Sequence, residues 1–329
     1  MSYCFESCQI NRVAPFAGGR SALSTSFPGS LIETKVSNLV RQQIRQNETT
    51  LPVSTAAVLE DSHSISNITI TQNRPRECDQ IQNSPASSAP FYLDGDEAFR
   101  CLIEGAEAGS VFDQCHLAHC YKNGWGVGKD FNEAIRWYKA AADQGYAPAM
   151  CGVAICYENG EGVCKNLKKA LNLYTEAANQ NSPLAQCNLG MWSLNGNYVA
   201  QSYKEAVKLF SLAANQNFAR AQYLLAFCYH TGKGVEKDMA EAVRLYALAA
   251  KKGVADAQYQ LALCYENGDG VEKDQAEAVR LYTLAADQGD ADAQFNLAIC
   301  YENGDGVEKD PQRAFELFTR AEKQEASDV

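Results

Sequence analysis

No stretch of this chain approaches the ~20 consecutive apolar residues that a membrane-spanning helix requires, and its first residues, MSYCFESCQINRVAPF, lack a charged segment leading into an apolar core. Neither a membrane anchor nor a secretory signal is expected, and the predicted location is the cytoplasm. A basic surplus is also missing. Lys and Arg number 29 against 40 Asp and Glu, a formal net charge of −11. Residues 1–90 hold seven of each sign, so the whole acidic excess falls in residues 91–329. Such a surface repels phosphate backbones and anionic lipids, which argues against nucleic acid or a membrane surface as partner. Gly-x-Ser-x-Gly, His-Glu-x-x-His and a dinucleotide fingerprint are all absent. No catalytic residue, cofactor or metal ligand is nominated.

Residues 1–90 are rich in Ser, Thr, Asn, Gln and Pro and show little periodicity. They hold too little apolar area to offset the entropy of ordering the chain, so a largely disordered tail is expected. One segment differs: over residues 30–45, Ile32, Val36, Leu39, Val40 and Ile44 fall at helical spacing. This fits either an amphipathic helix that docks on a partner or back onto the rest of the chain, or a transient helix within the tail. Asn47-Glu48-Thr49 and Asn67-Ile68-Thr69 match the glycosylation pattern, but without a signal segment they read as chance.

From Phe91 onward the chain repeats itself. Gly124, Gly160, Gly196, Gly232, Gly268 and Gly304 are spaced 36 residues apart, and two other positions keep step: Val127 to Val307 and Ala134 to Ala314. Six copies without slippage predict a tandem array of stacked units. Each unit reads as two helices. In the fifth, Leu261, Ala262 and Tyr265 share a face and Asn267-Gly268 stops the first helix. Val271 anchors the loop; Asp274 with Glu277 resembles a capping box. Ala278, Leu281, Tyr282, Ala285 and Ala286 then form the face of a second helix ending at Gly289. Glu97-Ala98-Phe99-Arg100 matches Glu133-Ala134-Ile135-Arg136, so an unpaired helix of the second type opens the array. At the far end Ala286 becomes Glu322 and Gly289 becomes Glu325, which suits a terminal cap.

These residues resemble the Sel-one-like repeat (SLR) family, relatives of tetratricopeptide repeats with a longer loop between helices. The carriers are Ala257-Gln258-Tyr259, Leu261-Ala262, Tyr265, Gly268-x-Gly270-Val271, Asp274, Glu277-Ala278, Leu281-Tyr282 and Ala285-Ala286-x-x-Gly289, and the match runs over residues 91–325. It implies an all-α, right-handed α-solenoid of six repeats behind one capping helix. The third copy departs most, with Ser193, Tyr198 and Gln201 replacing the tyrosine, second glycine and lysine, so a different local loop is expected there.

The glycine-rich acidic loops invite other readings. As calcium loops they fail on spacing, because Gly304 or Val307 falls where an oxygen ligand is needed and the equivalent loops at residues 122–126 and 230–234 lose the acids. As a phosphate loop, residues 124–130 have the wrong glycine spacing, and Asp130 stands where Ser or Thr is required. Cys120, Cys156, Cys228, Cys264 and Cys300 share one repeat position; Cys115, Cys151 and Cys187 share another, taken in later copies by Tyr223, Tyr259 and Phe295. They read as small apolar framework residues, and reduced thiols agree with the cytoplasm. The i,i+4 pairs Cys115/His119 and His116/Cys120 could approach a zinc ion, but they lie on different helix faces, and a structural role is expected. A disulfide-linked branch of the SLR family places a second cysteine on the second helix. No complete copy here has one, so that branch is disfavoured, and with it the alternative of a β-lactam-hydrolysing or peptidoglycan-related repeat protein.

The resemblance further implies a non-enzymatic scaffold or adaptor assembling signalling, regulatory or quality-control complexes, or a secreted bacterial effector binding a host protein. In such solenoids the first helices line the concave face. About half a helical circuit from their core residues stand Phe112/His116, Pro148/Gly152, Leu184/Asn188, Arg220/Leu224, Asp256/Gln260 and Asp292/Asn296. This row is predicted to bind a protein or peptide, its basic part towards Asp256 and Asp292. The chain is expected to be monomeric.

Overall fold

The computed structural model describes residues 95–327 apart from Asn197; the tail, with its segment at residues 30–45, lies outside the described residues. Helix α1 (Gly95–Glu107) stands unpaired at the start. Six pairs follow, each a first and a second helix: α2 (Val111–Asn123) with α3 (Phe131–Ala142), α4 (Ala147–Asn159) with α5 (Leu167–Asn179), α6 (Pro183–Asn195) with α7 (Tyr203–Asn215), α8 (Ala219–Thr231) with α9 (Met239–Lys251), α10 (Ala255–Asn267) with α11 (Gln275–Asp287), and α12 (Ala291–Asn303) with α13 (Pro311–Ser327). Every helix packs on its neighbours in sequence, and no strand occurs among the described residues. First helices of adjacent repeats also touch directly, α4 with α6 and α6 with α8. In that part of the array the first helices form a closely spaced row, the inner wall.

Local chemistry explains the boundaries. Each first helix stops at its glycine in the left-handed region, φ 70–86°, where the amide returns to the carbonyl four residues earlier. The second helices open on side-chain caps: Asp130, Asn166, Ser202, Asp238, Asp274 and Asp310 each accept a hydrogen bond from an amide of the first turn. Their own amides bond back to residues 121, 157, 193, 229, 265 and 301, closing every loop at 2.8–3.0 Å. The second loop glycine is demanded by stacking: a Cβ on Gly162, Gly234 or Gly306 would sit 2.3 Å from the carbonyl oxygen of Phe131, Tyr203 or Gln275, the first residue of the preceding second helix. In the third copy Tyr198 takes this place and lays its ring edge-on against Trp192 at 4.6 Å. At the end of the array, without a glycine near residue 325, α13 runs on to Ser327.

The core is a column of small and aromatic side chains. Ala134, Ala170, Ala206, Ala242 and Ala278 are fully buried, and beside them run Tyr138, Tyr174, Phe210, Tyr246, Tyr282 and Phe318, each at most 1% exposed. The alanines let helices approach closely and the rings fill the space between layers.

Candidate protein-binding surface

Two polar ladders run through this column. Gln114, Gln186, Gln222, Gln258 and Gln294, at one register of the first helices, are all at least nine-tenths buried. Four of them donate to a carbonyl at the end of the second helix before: Ala106, Ala214, Ala250 and Ala286, at 3.0–3.4 Å. Three of the five, Gln114, Gln186 and Gln258, also accept at Oε1 from a second glutamine row: Gln144 to Gln114 (2.9 Å), Gln216 to Gln186 (2.9 Å) and Gln288 to Gln258 (2.7 Å). Gln294 Oε1, in the last repeat, has no partner among the described residues. Where Lys252 replaces that second glutamine, Gln222 Oε1 is buried without a partner. Sequence reasoning noted Gln258 only as a neighbour of the core face; the 36-residue recurrence of two glutamine rows was the available signal.

The other ladder joins second-helix tyrosines to the last turn of the first helix. Tyr174 and Tyr282 donate to Glu158 and Glu266 at 2.8 and 2.6 Å, while Tyr138 and Tyr246 pair with Nδ1 of His119 and His230 at 2.8 and 3.5 Å. In the third copy the ring is Phe210, and the residue sixteen earlier, where Glu158 and Glu266 stand in their copies, is the buried Leu194. Hydroxyl and acceptor are lost together. Glu158 also accepts from Trp192 Nε1 at 3.0 Å.

These ladders account for the residues that had suggested chemistry. Burial holds His119 near a pKa of about 4, helped by the positive charges of His116 and Lys122, so it is neutral at physiological pH. Cys115 is buried while His116 is exposed, so the two i,i+4 pairs point apart. Among the described residues no group of three or more His, Cys, Asp or Glu is placed to hold a metal. The ten cysteines there are free thiols. Desolvation pushes Cys151, Cys228, Cys264 and Cys300 up to about 12, which leaves them without nucleophilic character near neutrality.

The inner wall splits into two registers with different surroundings. In the outer one, Phe112, Asp256 and Asp292 are exposed; Pro148, Leu184 and Arg220 are half-buried. In the other, His116 is exposed and Asn188 and Asn296 are half-buried, but Leu224 and Gln260 are 3% and 6% exposed. These two do not present a side chain to a groove occupant. The reason is stacking: this register faces the second helix of the preceding repeat, so that a Cβ on Gly152 would meet Tyr138 at 2.6 Å. Asn188 hydrogen-bonds Tyr174 there, and Leu224 joins the core cluster that holds Phe210. Counting half a circuit from the core assumes one packed face, whereas each first helix is covered by second helices on two sides.

The wall is also polarised. At its N-terminal end Phe112 packs edge-on against Tyr146, centroids 5.2 Å apart. Further on, Tyr223 is pushed far up by burial and then by Asp256 and Asp290, with Arg220 opposing. Tyr259 is raised by burial, then by Asp292 and Asp290, and accepts a 3.4 Å hydrogen bond from Asn296 Nδ2. Desolvation lifts the Asp256 carboxyl above the usual range against the pull of Arg220. Asp256 and Asp290 thus act electrostatically on Tyr223, and Asp290 and Asp292 on Tyr259, while Asp290 caps α12 by accepting from Ala293 N at 2.7 Å. Among the described residues no helix is long and apolar enough to cross a membrane.

Comparison with known proteins agrees with this architecture. The Sel1 repeat pattern matches residues 113–146, 147–182, 183–218, 219–254, 255–290 and 291–325. A solved structure of a protective antigen from uropathogenic Escherichia coli strains, displaying an SLR fold, is 35% identical with a TM-score of 0.59 over 69% of this chain; the match spans 48% of the antigen, about half its length. A Sel1 repeat protein from Oxalobacter formigenes is 30% identical with a TM-score of 0.59, covering 70% of this chain and 97% of its own. No curated protein sequence matches the chain. With six matched repeats over more than half its length, the chain belongs to the Sel1 repeat family, whose helical solenoids generally serve as protein-interaction scaffolds.

Proposed function

We propose that this protein is a non-enzymatic scaffold of the cytoplasm whose inner wall binds an extended segment of a protein partner, the segment's basic part lying against Asp256 and Asp292 and its apolar part against Phe112 and Leu184. The observation that carries this reading is the polarity of the first-helix row: exposed Asp256 and Asp292 stand towards its C-terminal end, and exposed Phe112, packed on half-buried Tyr146, stands at its N-terminal end. A carboxylate lifted by desolvation, as Asp256 is, gains from a cation that replaces lost water. Residues 1–90 are read as a tail separate from the array of residues 91–329, and the scaffold as a monomer.

The test is a pull-down with the full chain, then titration of the recovered partner against Phe112→Ala, Leu184→Ala, Arg220→Ala, Asp256→Asn and Asp292→Asn. Leu224 is left out because truncating it would open the core. Each of the five substitutions is expected to weaken binding at least threefold, the two aspartate variants with a reduced salt dependence. Unchanged affinity across all five would overturn the inner-wall reading, and turnover of a chromogenic β-lactam by the purified protein would overturn the non-enzymatic one.

A further inference from the structure

On the second-helix row, remote from the inner wall, Leu212, Leu248 and Leu284 occupy one register of α7, α9 and α11 and are 45%, 37% and 39% exposed. The same register carries exposed Glu176 in α5 before them and exposed Arg320 in α13 beyond them. One turn earlier stand Lys208, Arg244 and Arg280, each held by a glutamate of its own helix: Glu205 at 3.6 Å, Glu241 and Glu277 at 2.6 Å. With those cations paired, the leucines are bordered by neutralised charge. In the last repeat Arg320 lines a cleft of about 420 Å³ with Asp287, Gln288 and Gly289, so this register lies against the C-terminal end of the preceding second helix. Helices α5, α7 and α11 have no basic residue in their last turn, which leaves the negative end of each dipole unmatched. At about 10 Å per stacked repeat, the three leucines make an apolar line roughly 20 Å long, with an acid before it and a base after it.

We propose that the occupant of this line is residues 30–45 of the same chain, docked as an amphipathic helix. The segment lies outside the described residues, and the case rests on its sequence. From Ile32 to Ile44 a helix extends about 18 Å at 1.5 Å per residue, matching the leucine line. Val36, Leu39 and Val40 fill the face between them. Glu33 and Lys35 stand at one end and offset each other, while Arg41 and Arg45 make the other end basic. Laid with Arg41 and Arg45 towards Glu176, the apolar face meets the leucines and the basic end of the segment meets the acid at the start of the line. This direction also returns residue 45 towards α1, where the array begins at Gly95. Residues 46–94 reach up to roughly 160 Å at about 3.3 Å each, more than the array requires. Tethering raises the effective concentration to the millimolar range, so a modest contact suffices. The proposal is independent of the inner-wall reading.

The test is hydrogen exchange of the full chain followed by mass spectrometry. Peptides within residues 30–45 are expected to exchange at least tenfold more slowly than those within residues 46–90. In the triple variant Leu212→Gln, Leu248→Gln, Leu284→Gln they should match residues 46–90, with exchange in α2 to α12 unchanged. Should that variant misfold, the charge reversal Glu176→Lys with Arg320→Glu gives the same reading with the leucines intact, and is expected to speed exchange of residues 30–45 at least threefold. Equal rates in the unaltered protein, or slow exchange persisting in the variants, overturn the proposal. Slow exchange lost on fiftyfold dilution in step with a fall from dimer to monomer mass also overturns it and assigns the stripe to a second copy.

Discussion

Replacing Lys252 by glutamine should stabilise the protein. Five of the six equivalent positions, Gln144, Gln180, Gln216, Gln288 and Gln324, carry glutamine, and three of these donate to a buried glutamine at 2.7–2.9 Å. Lys252 instead turns its Nζ to the carbonyl of Asn217 at an exposed edge, and Gln222, 2% exposed, keeps an unpartnered Oε1. A buried acceptor without a donor costs about 1–3 kcal/mol, and a neutral hydrogen bond returns about 0.5–1.5 kcal/mol net. The exposed lysine contact contributes a few tenths of a kcal/mol at most. Lys252→Gln is therefore expected to gain about 1 kcal/mol, or roughly 2–4 °C for an array of this size. Lys252→Met is the control, since it keeps the aliphatic stem and adds no donor. Urea titration followed by circular dichroism measures both, and adding Gln222→Leu should abolish the difference between them. Repeat arrays can unfold in stages, so the comparison belongs to the transition that includes α8 and α9. If Lys252→Gln is no more stable than Lys252→Met, the ladder does not work as described.

The tyrosine ladder makes a paired prediction. Tyr282→Phe should cost about 1 kcal/mol, because Glu266 loses its 2.6 Å partner, while Tyr282→Phe with Glu266→Leu should recover most of that loss by copying Leu194 and Phe210; thermal melts of the three proteins check it. His119 supplies a pH dependence. Its folded pKa, near 4, lies below the unfolded value of about 6.5, so the unfolded chain binds more protons between those values. Stability is full above pH 6.5 and falls as pH drops towards 4, by up to about 3 kcal/mol. His119→Gln should flatten that slope in denaturation at pH 7.5 and pH 5, and an unchanged slope would locate the effect elsewhere.

Much of this architecture is written in local signals. A glycine that must take positive φ, a capping aspartate and an alanine face act within a few residues, so their 36-residue recurrence fixes helix ends, loop closure and repeat number before any contact is known. The opening helix and the altered third loop at Tyr198 were legible for the same reason. What surrounds each residue was not. Leu224 and Gln260 share a register with exposed His116, and only stacking on the preceding second helix buries them. The glutamine and tyrosine ladders join residues 8 to 30 apart, and their partners are set by how one layer of helices lies upon the next. The leucine stripe was not legible for the converse reason: nothing local marks Leu212, Leu248 and Leu284 as exposed, and only the stack turns their register outward. The sequence by itself determined the unit and its period, because those follow from backbone conformation and capping. The tertiary structure decided which faces are covered, because burial belongs to the neighbour as much as to the residue.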